Sequence, residues 1–269
     1  MRMRPAVTVC LVSEAAQGPF VFHGSLEDSC AQARVAGFDA VEIFAPGPEA
    51  LAEELVAPVL DRHRLKLAAV GTGAGWVVHR LSLVAAEAGT RARAVEFIKG
   101  MITAGARFGA PAILGSMQGG VTLEVPRDQA MLWLGDAVEE LTAHAHALGT
   151  HFLLEPLNRY ETVMLRTVAD AAKLINWRKA PGCVILADLF HMNIEEVSIL
   201  EALRDHSHLI GHVHWADSNR RAMGFGHTLE KPILKFLQEI DYEGYCSAEV
   251  FPHPDGLSAA RQTRKSLRI

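Results

Sequence analysis

Cysteine is scarce: the 269 residues include four, Cys10, Cys30, Cys183 and Cys246, far apart and without a C-x-x-C pair. That spacing suits neither a disulfide scaffold nor a cysteine zinc motif. Each cysteine sits in or beside an apolar stretch, the setting of a buried, reduced thiol and of a cytoplasmic chain. Basic charge is also short. Lys and Arg number 26 against 31 Asp and Glu, a formal net charge of −5, so no overall field exists to hold a nucleic-acid backbone or an anionic membrane surface. No apolar run approaches the ~18 residues of a membrane span. The start, Met1-Arg-Met-Arg4 followed by Ala6 to Val12, makes a poor signal peptide, because its apolar run is at the short limit and meets Ser13-Glu14 rather than a small-residue cleavage site. No linker rich in Pro, Gly and Ser divides the chain, and residues 1–269 read as a single domain.

What the chain does have is alternation. Short apolar runs of β type fall at 6–12, 40–44, 67–70, 112–114, 151–154, 183–187, 209–213 and 245–248. Between them lie candidate helices at 25–36, 48–63, 88–108, 127–148, 167–179, 195–203, 230–239 and 256–267. Such a pattern means βαβ units and a parallel sheet. Eight units in this length predict an α/β protein of the (β/α)8 TIM-barrel type, since a doubly wound sheet more often stops at five or six strands. A Rossmann sheet would also need a G-x-G-x-x-G turn after the first strand, and Leu11-Val-Ser-Glu-Ala-Ala-Gln-Gly18 stands there instead. Gly71-Thr-Gly-Ala-Gly75 is glycine-rich, but Trp76 occupies the place of a phosphate-cradle lysine, and a plain loop is expected.

In a parallel barrel the functional side chains come from the C-terminal ends of the strands, which share one mouth. Glu155, Asp188, His214 and Glu249 each close a predicted strand, at successive intervals of 33, 26 and 35 residues. One acidic residue after a strand reads equally well as a helix N-cap. Four metal-type ligands in succession do not, because three carboxylates converging on one point repel unless a cation lies among them, and oxygen with imidazole suits Mn²⁺, Mg²⁺, Co²⁺ or Zn²⁺. His212 lies two residues deeper than His214, so parity alone leaves open which is the ligand and which a supporting partner. His191 could cap the next helix. Arg159 and Arg221 read as solvated charges, and His144 and His146 as packed or solvated histidines on a helix.

The segments Glu155-Pro-Leu-Asn-Arg-Tyr-Glu161, Asp188-Leu-Phe-His-Met-Asn-Ile-Glu-Glu196, Gly211-His-Val-His-Trp-Ala-Asp-Ser-Asn-Arg220 and Ala248-Glu249-Val-Phe251 resemble the motifs of the ketose 3-epimerases, the D-tagatose and D-psicose enzymes of the xylose isomerase-like barrel superfamily. The resemblance implies one divalent ion, with Mn²⁺ first among the candidates, bound by Glu155, Asp188, His214 and Glu249, and so favours His214 over His212. It implies acid and base roles for Glu155 and Glu249, sugar-oxygen contacts for Glu161, His191 and Arg220, and an apolar wall at Phe251. Leu189 and Ala222-Met223-Gly224 depart from the family pattern beside the substrate loops. The expected partner is a small-molecule sugar, with neither nucleic acid nor membrane, in a cytoplasmic homodimer or homotetramer. A free sugar is preferred to a phosphate ester, because the seventh and eighth loops lack a glycine-rich helix start.

The same ligands would serve an aldose-ketose or hydroxypyruvate-type isomerase. A trinuclear zinc nuclease of the endonuclease IV kind is disfavoured, because the third and fourth strand ends, Val70-Gly-Thr-Gly73 and Leu114-Gly-Ser-Met117, carry no histidine. A non-catalytic sugar-binding barrel would be expected to have lost one of the two glutamates.

Overall fold

The computed structural model describes residues 3–268. Met1 and Arg2 of the signal-like start lie outside the described residues, and the apolar run after them forms the first strand. The barrel strands are β1 (Arg4–Cys10), β2 (Ala40–Phe44), β3 (Lys66–Gly71), β4 (Ala112–Leu114), β5 (Phe152–Leu154), β6 (Cys183–Asp188), β7 (Ile210–His214) and β8 (Tyr245–Ala248). Each pairs in parallel with the next, and β8 pairs with β1 through Arg4↔Tyr245 to Val7↔Ala248, closing the ring. A two-residue strand, Phe22–His23, pairs with Val9 and Cys10 of β1; it was not anticipated from so short a run.

Around the ring stand α1 (Leu26–Val35), α2 (Glu53–His63), α3 (Ala88–Ala106), α4 (Arg127–Ala147), α5 (Val168–Arg178), α6 (Ile199–Asp205), α7 (Glu230–Glu239) and α8 (Gly256–Ser266). Two expected helices differ in detail. The segment 48–63 is interrupted at Ala52, whose ψ of 136° separates a 3₁₀ turn at Pro48–Leu51 from α2. The expected helix at 195–203 is two helices, because two caps compete: Asp188 starts Leu189–Glu195 by accepting from the backbone N–H of Phe190 and His191, and Ser198 starts α6 by accepting from that of Glu201.

The main core lies between strands and helices, where outward-pointing residues such as Val7, Val9, Val41, Ile43, Phe152 and Ile185 are buried. Inside the barrel two apolar clusters form the floor, one of Ala6, Ala40 and Ala68 packed with Tyr245 and one of Ala69, Ile113, Leu153 and Leu186. Two residues further along the same parity the interior turns polar: Thr8, Glu42, His212 and His214 are all buried. The barrel thus has an apolar floor and a polar upper layer, and that layer carries the site.

Among the helix starts, α5 has a complete capping box. Thr167 accepts from the N–H of Asp170, and the Asp170 carboxylate accepts from the N–H of Thr167. Thr167→Ala is expected to destabilise the fold by about 1 kcal/mol. A thermal melt should show this as a drop of roughly 2–4 °C, with metal binding unaltered.

Candidate metal centre

Four strand ends converge at the mouth. Glu155 follows β5, Asp188 ends β6, His214 ends β7 and Glu249 follows β8, and one donor atom from each lies within 4.8 Å of the others. The Nδ1 of His214 is the centre of the group, 3.2 Å from Asp188 Oδ2 and 3.4 Å from both Glu155 Oε1 and Glu249 Oε2. Glu155 and Asp188 are buried and Glu249 nearly so. Burial by itself pushes every one of these carboxyls up, and for Glu155 it prevails. Asp188 and Glu249 are instead held low, because His214 and Arg220, with His191 beside Asp188, outweigh it. His214 is held well above its usual value: burial opposes its charge, but Glu42, Glu249 and Asp188 surround it.

The donor set fits a cation. Three carboxylates and an imidazole nitrogen meet at one point, and the buried Oε1 of Glu155 has no hydrogen-bond partner. Hard oxygens with one imidazole suit a divalent ion of the Mg²⁺, Mn²⁺, Co²⁺ or Zn²⁺ kind.

Each donor is braced from behind. A Cβ at Gly115 would sit 2.5 Å from Glu155 Oε2, so only glycine lets that carboxylate pass. Gln118 donates to the Glu155 carbonyl at 3.3 Å and accepts from the N–H of Leu165 at 3.1 Å, fixing the chain on both sides. Asp188 keeps one oxygen for capping and turns the other to His214, so the cap reading and the ligand reading hold together. Arg220 donates to Glu249 at 2.6 Å and to Glu161 at 3.3 Å, with its guanidinium over the Phe190 ring. Its backbone takes a left-handed φ of 57° in a loop organised by Asp217, whose carboxylate accepts from the N–H of Ser218, Gly224, Gly226 and Thr228. Arg220 is therefore no solvated surface arginine; its side chain is only 11% exposed.

Beside the cluster lies a cavity of about 340 Å³. Glu161, His191 and Arg220 line it with Glu155, His214 and Glu249, and Phe20, Phe44 and Leu157 supply apolar wall. His191 is buried, and the backbone N–H of Asn158 donates to its Nδ1 at 3.2 Å. Nδ1 is thereby the bare nitrogen, and Nε2 carries the proton without a partner. Phe251 does not line the cavity. It is 40% exposed, and its N–H donates to the Arg220 carbonyl.

Among the other residues singled out in the sequence, Arg159 pairs with Glu195 at 2.8 Å, Arg221 is exposed, and His144 packs against Thr103 at 2.9 Å. Gly71-Thr72-Gly73 is more than a plain loop, since all three residues line the cavity. Glu42 was missed. Its oxygens lie 2.9 Å from His212 Nε2 and 3.1 Å from His214 Nε2, and although burial would raise its carboxyl, the two imidazoles hold it low. A lone carboxylate inside Ala40-Val-Glu-Ile-Phe44 was the available signal.

Comparison with known proteins follows the same lines. A family model described as xylose isomerase-like TIM barrel matches residues 30–269. The chain is 38% identical over 112 residues to a 3-dehydro-D-guloside 4-epimerase of Escherichia coli, a stretch covering 42% of this chain and 43% of that protein. It is 33% identical over 121 residues to a D-psicose 3-epimerase of Ruminiclostridium cellulolyticum, covering 45% and 41%. The matched stretches thus span less than half the length of these two relatives. In fold the chain is similar to an Escherichia coli 3-keto-D-glucoside 4-epimerase in its apo form, with a TM-score of 0.80, 24% identity, and coverage of 98% of this chain and 99% of that one.

The bracing of Glu155 is open to direct test. Gly115→Ala must displace the carboxylate, and titration with Mn²⁺ should show affinity weakened by about tenfold or more while the circular dichroism spectrum stays that of a folded barrel. Unchanged affinity would mean that Glu155 is not a ligand.

Proposed function

The chain belongs to the xylose isomerase-like TIM-barrel family, and on that premise we propose that it epimerises a free ketose at C3, the carbon beside the carbonyl. One observation carries the reading: two glutamates from non-adjacent strands, Glu155 and Glu249, reach one cation site and line one cavity. The names of the relatives support it. A D-psicose 3-epimerase and a 3-dehydro-D-guloside 4-epimerase both act on a carbon next to a ketone.

Glu155, Asp188, His214 and Glu249 would hold one divalent ion, with Mn²⁺ the first candidate. Bound there, the ion supplies electrophilic stabilisation for the negative charge that develops on the sugar oxygens as the proton leaves. Glu155 and Glu249 face the substrate from different sides of the mouth, so one takes the C3 proton and the other returns a proton to the opposite face, inverting the centre. Arg220 keeps Glu249 in register and leaves its buried, unpartnered Nε for a sugar oxygen. His191 offers its Nε2–H in the same way, and Glu161 can accept from a hydroxyl. Phe20, Phe44 and Leu157 keep water from the deprotonated carbon. We read the protein as a cytoplasmic homodimer or homotetramer. Four buried free cysteines support the compartment, and exposed Trp76, Phe225 and Phe251 in the segments that follow β3, β7 and β8 support the assembly.

Incubation of Mn²⁺-loaded protein in D₂O with a panel of free ketoses, aldoses and 3-keto glycosides tests this reading. Deuterium is expected at C3 of a ketose together with its epimer. Label confined to C1 or C2 would assign aldose-ketose isomerisation instead. Glu155→Gln and Glu249→Gln should each abolish turnover, and each metal-loaded variant should still exchange the C3 proton of one epimer only. Chelation should remove activity, and readdition of Mn²⁺ restore it; full activity after verified metal removal would overturn the proposal.

A further inference from the structure

We propose that Glu42 is a positioning residue that fixes which ring nitrogen of His214 faces the cation site, while His212 shares the same carboxylate without serving the site. The inference rests on the metal reading above. Glu42 lies in the middle of β2, only 4% exposed, and reaches β7 across the barrel interior. Each of its oxygens has one imidazole: Oε2 is 2.9 Å from His212 Nε2 and Oε1 is 3.1 Å from His214 Nε2. An ionised carboxylate accepts and cannot donate. Both Nε2 atoms must therefore carry the protons. With its Nε2–H tied to Glu42, His214 has only Nδ1 to offer as a lone pair, and Nδ1 is the atom placed among Glu155, Asp188 and Glu249. A carboxylate behind a ligating imidazole orients the ring and makes it a better donor.

Packing alone does not call for Glu42. An apolar residue of similar volume would fill the barrel without the cost of taking a carboxylate and its partners out of water. His212 and His214 lie on one face of β7, two residues apart and with their rings edge to face at 5.6 Å, so a single carboxylate on the opposite wall meets both. Glu42, His212 and His214 are also grouped closely enough to attract a cation themselves. The present hydrogen bonds use both Glu42 oxygens, and a cation seated there would contradict the proposal.

The test is a competition titration of Co²⁺ against a chromophoric chelator, with the visible spectrum of the bound ion recorded, on wild type, Glu42→Leu, Glu42→Gln and His212→Asn. Glu42→Leu should bind Co²⁺ about 10–100-fold more weakly and shift its absorption bands. Glu42→Gln, which keeps one acceptor for the two imidazoles, should fall between and stands in if the leucine variant does not fold. His212→Asn leaves the Glu42 to His214 bond in place and should match wild type in affinity and spectrum. Wild-type affinity in both Glu42 variants, or equal weakening in the Glu42 and His212 variants, would overturn the proposal. Absence of Co²⁺ binding in wild type would instead overturn the metal reading on which it rests.

Discussion

Three carboxylates driven to one point inside a protein form an arrangement that must be compensated, and the upper half of this barrel is organised around that compensation. Within the chain the balancing charges are His214, with its Nδ1 at 3.2–3.4 Å from Asp188, Glu155 and Glu249, and Arg220, bonded to Glu249 and leaning toward Asp188. They do not complete the balance. Glu155 remains shifted upward by burial, with Oε1 lacking a hydrogen-bond partner. A divalent cation would remove that deficit, so these four residues offer a cation site.

The fold delivers these groups by a simple rule of parity. β6, β7 and β8 lie side by side, so Asp188, His214 and Glu249 occupy adjacent strand ends, and β5 brings Glu155 next to them. Bracing comes from the far wall and from the strand next to β5. Glu42 comes from β2, and Gly115 stands at the end of β4 where any side chain would strike Glu155. The metal half of the mouth is thus preorganised by packing, whereas the substrate half is built on loops, with Arg220 in a left-handed turn held by the four backbone bonds to Asp217.

Much of this was legible in the sequence. The strand runs at 40–44, 112–114 and 245–248 coincide with β2, β4 and β8, because short apolar β-branched or alanine-rich runs between long amphipathic stretches have few other readings. The convergence of Glu155, Asp188, His214 and Glu249 was legible for the same reason, since a strand end is a local feature. What escaped depends on contacts distant in sequence. Glu42 meets histidines 170 and 172 residues away, and the glycine requirement at 115 exists only once Glu155 is opposite it. Adjacency to Glu249 likewise says nothing of where the Phe251 ring points, and Phe251 is not among the residues lining the cavity. The split between Leu189–Glu195 and α6 turned on two competing caps, a balance of about 1 kcal/mol that composition does not resolve.

Anomalous diffraction from crystals grown with Mn²⁺ addresses the centre of this picture most directly. A single strong peak is expected within bonding distance of Glu155, Asp188, His214 Nδ1 and Glu249, with the Nε2 of His214 still on Glu42. No peak at that point, or a peak bonded to Glu42 and His212 instead, would contradict the assignment of the four strand ends as one metal centre.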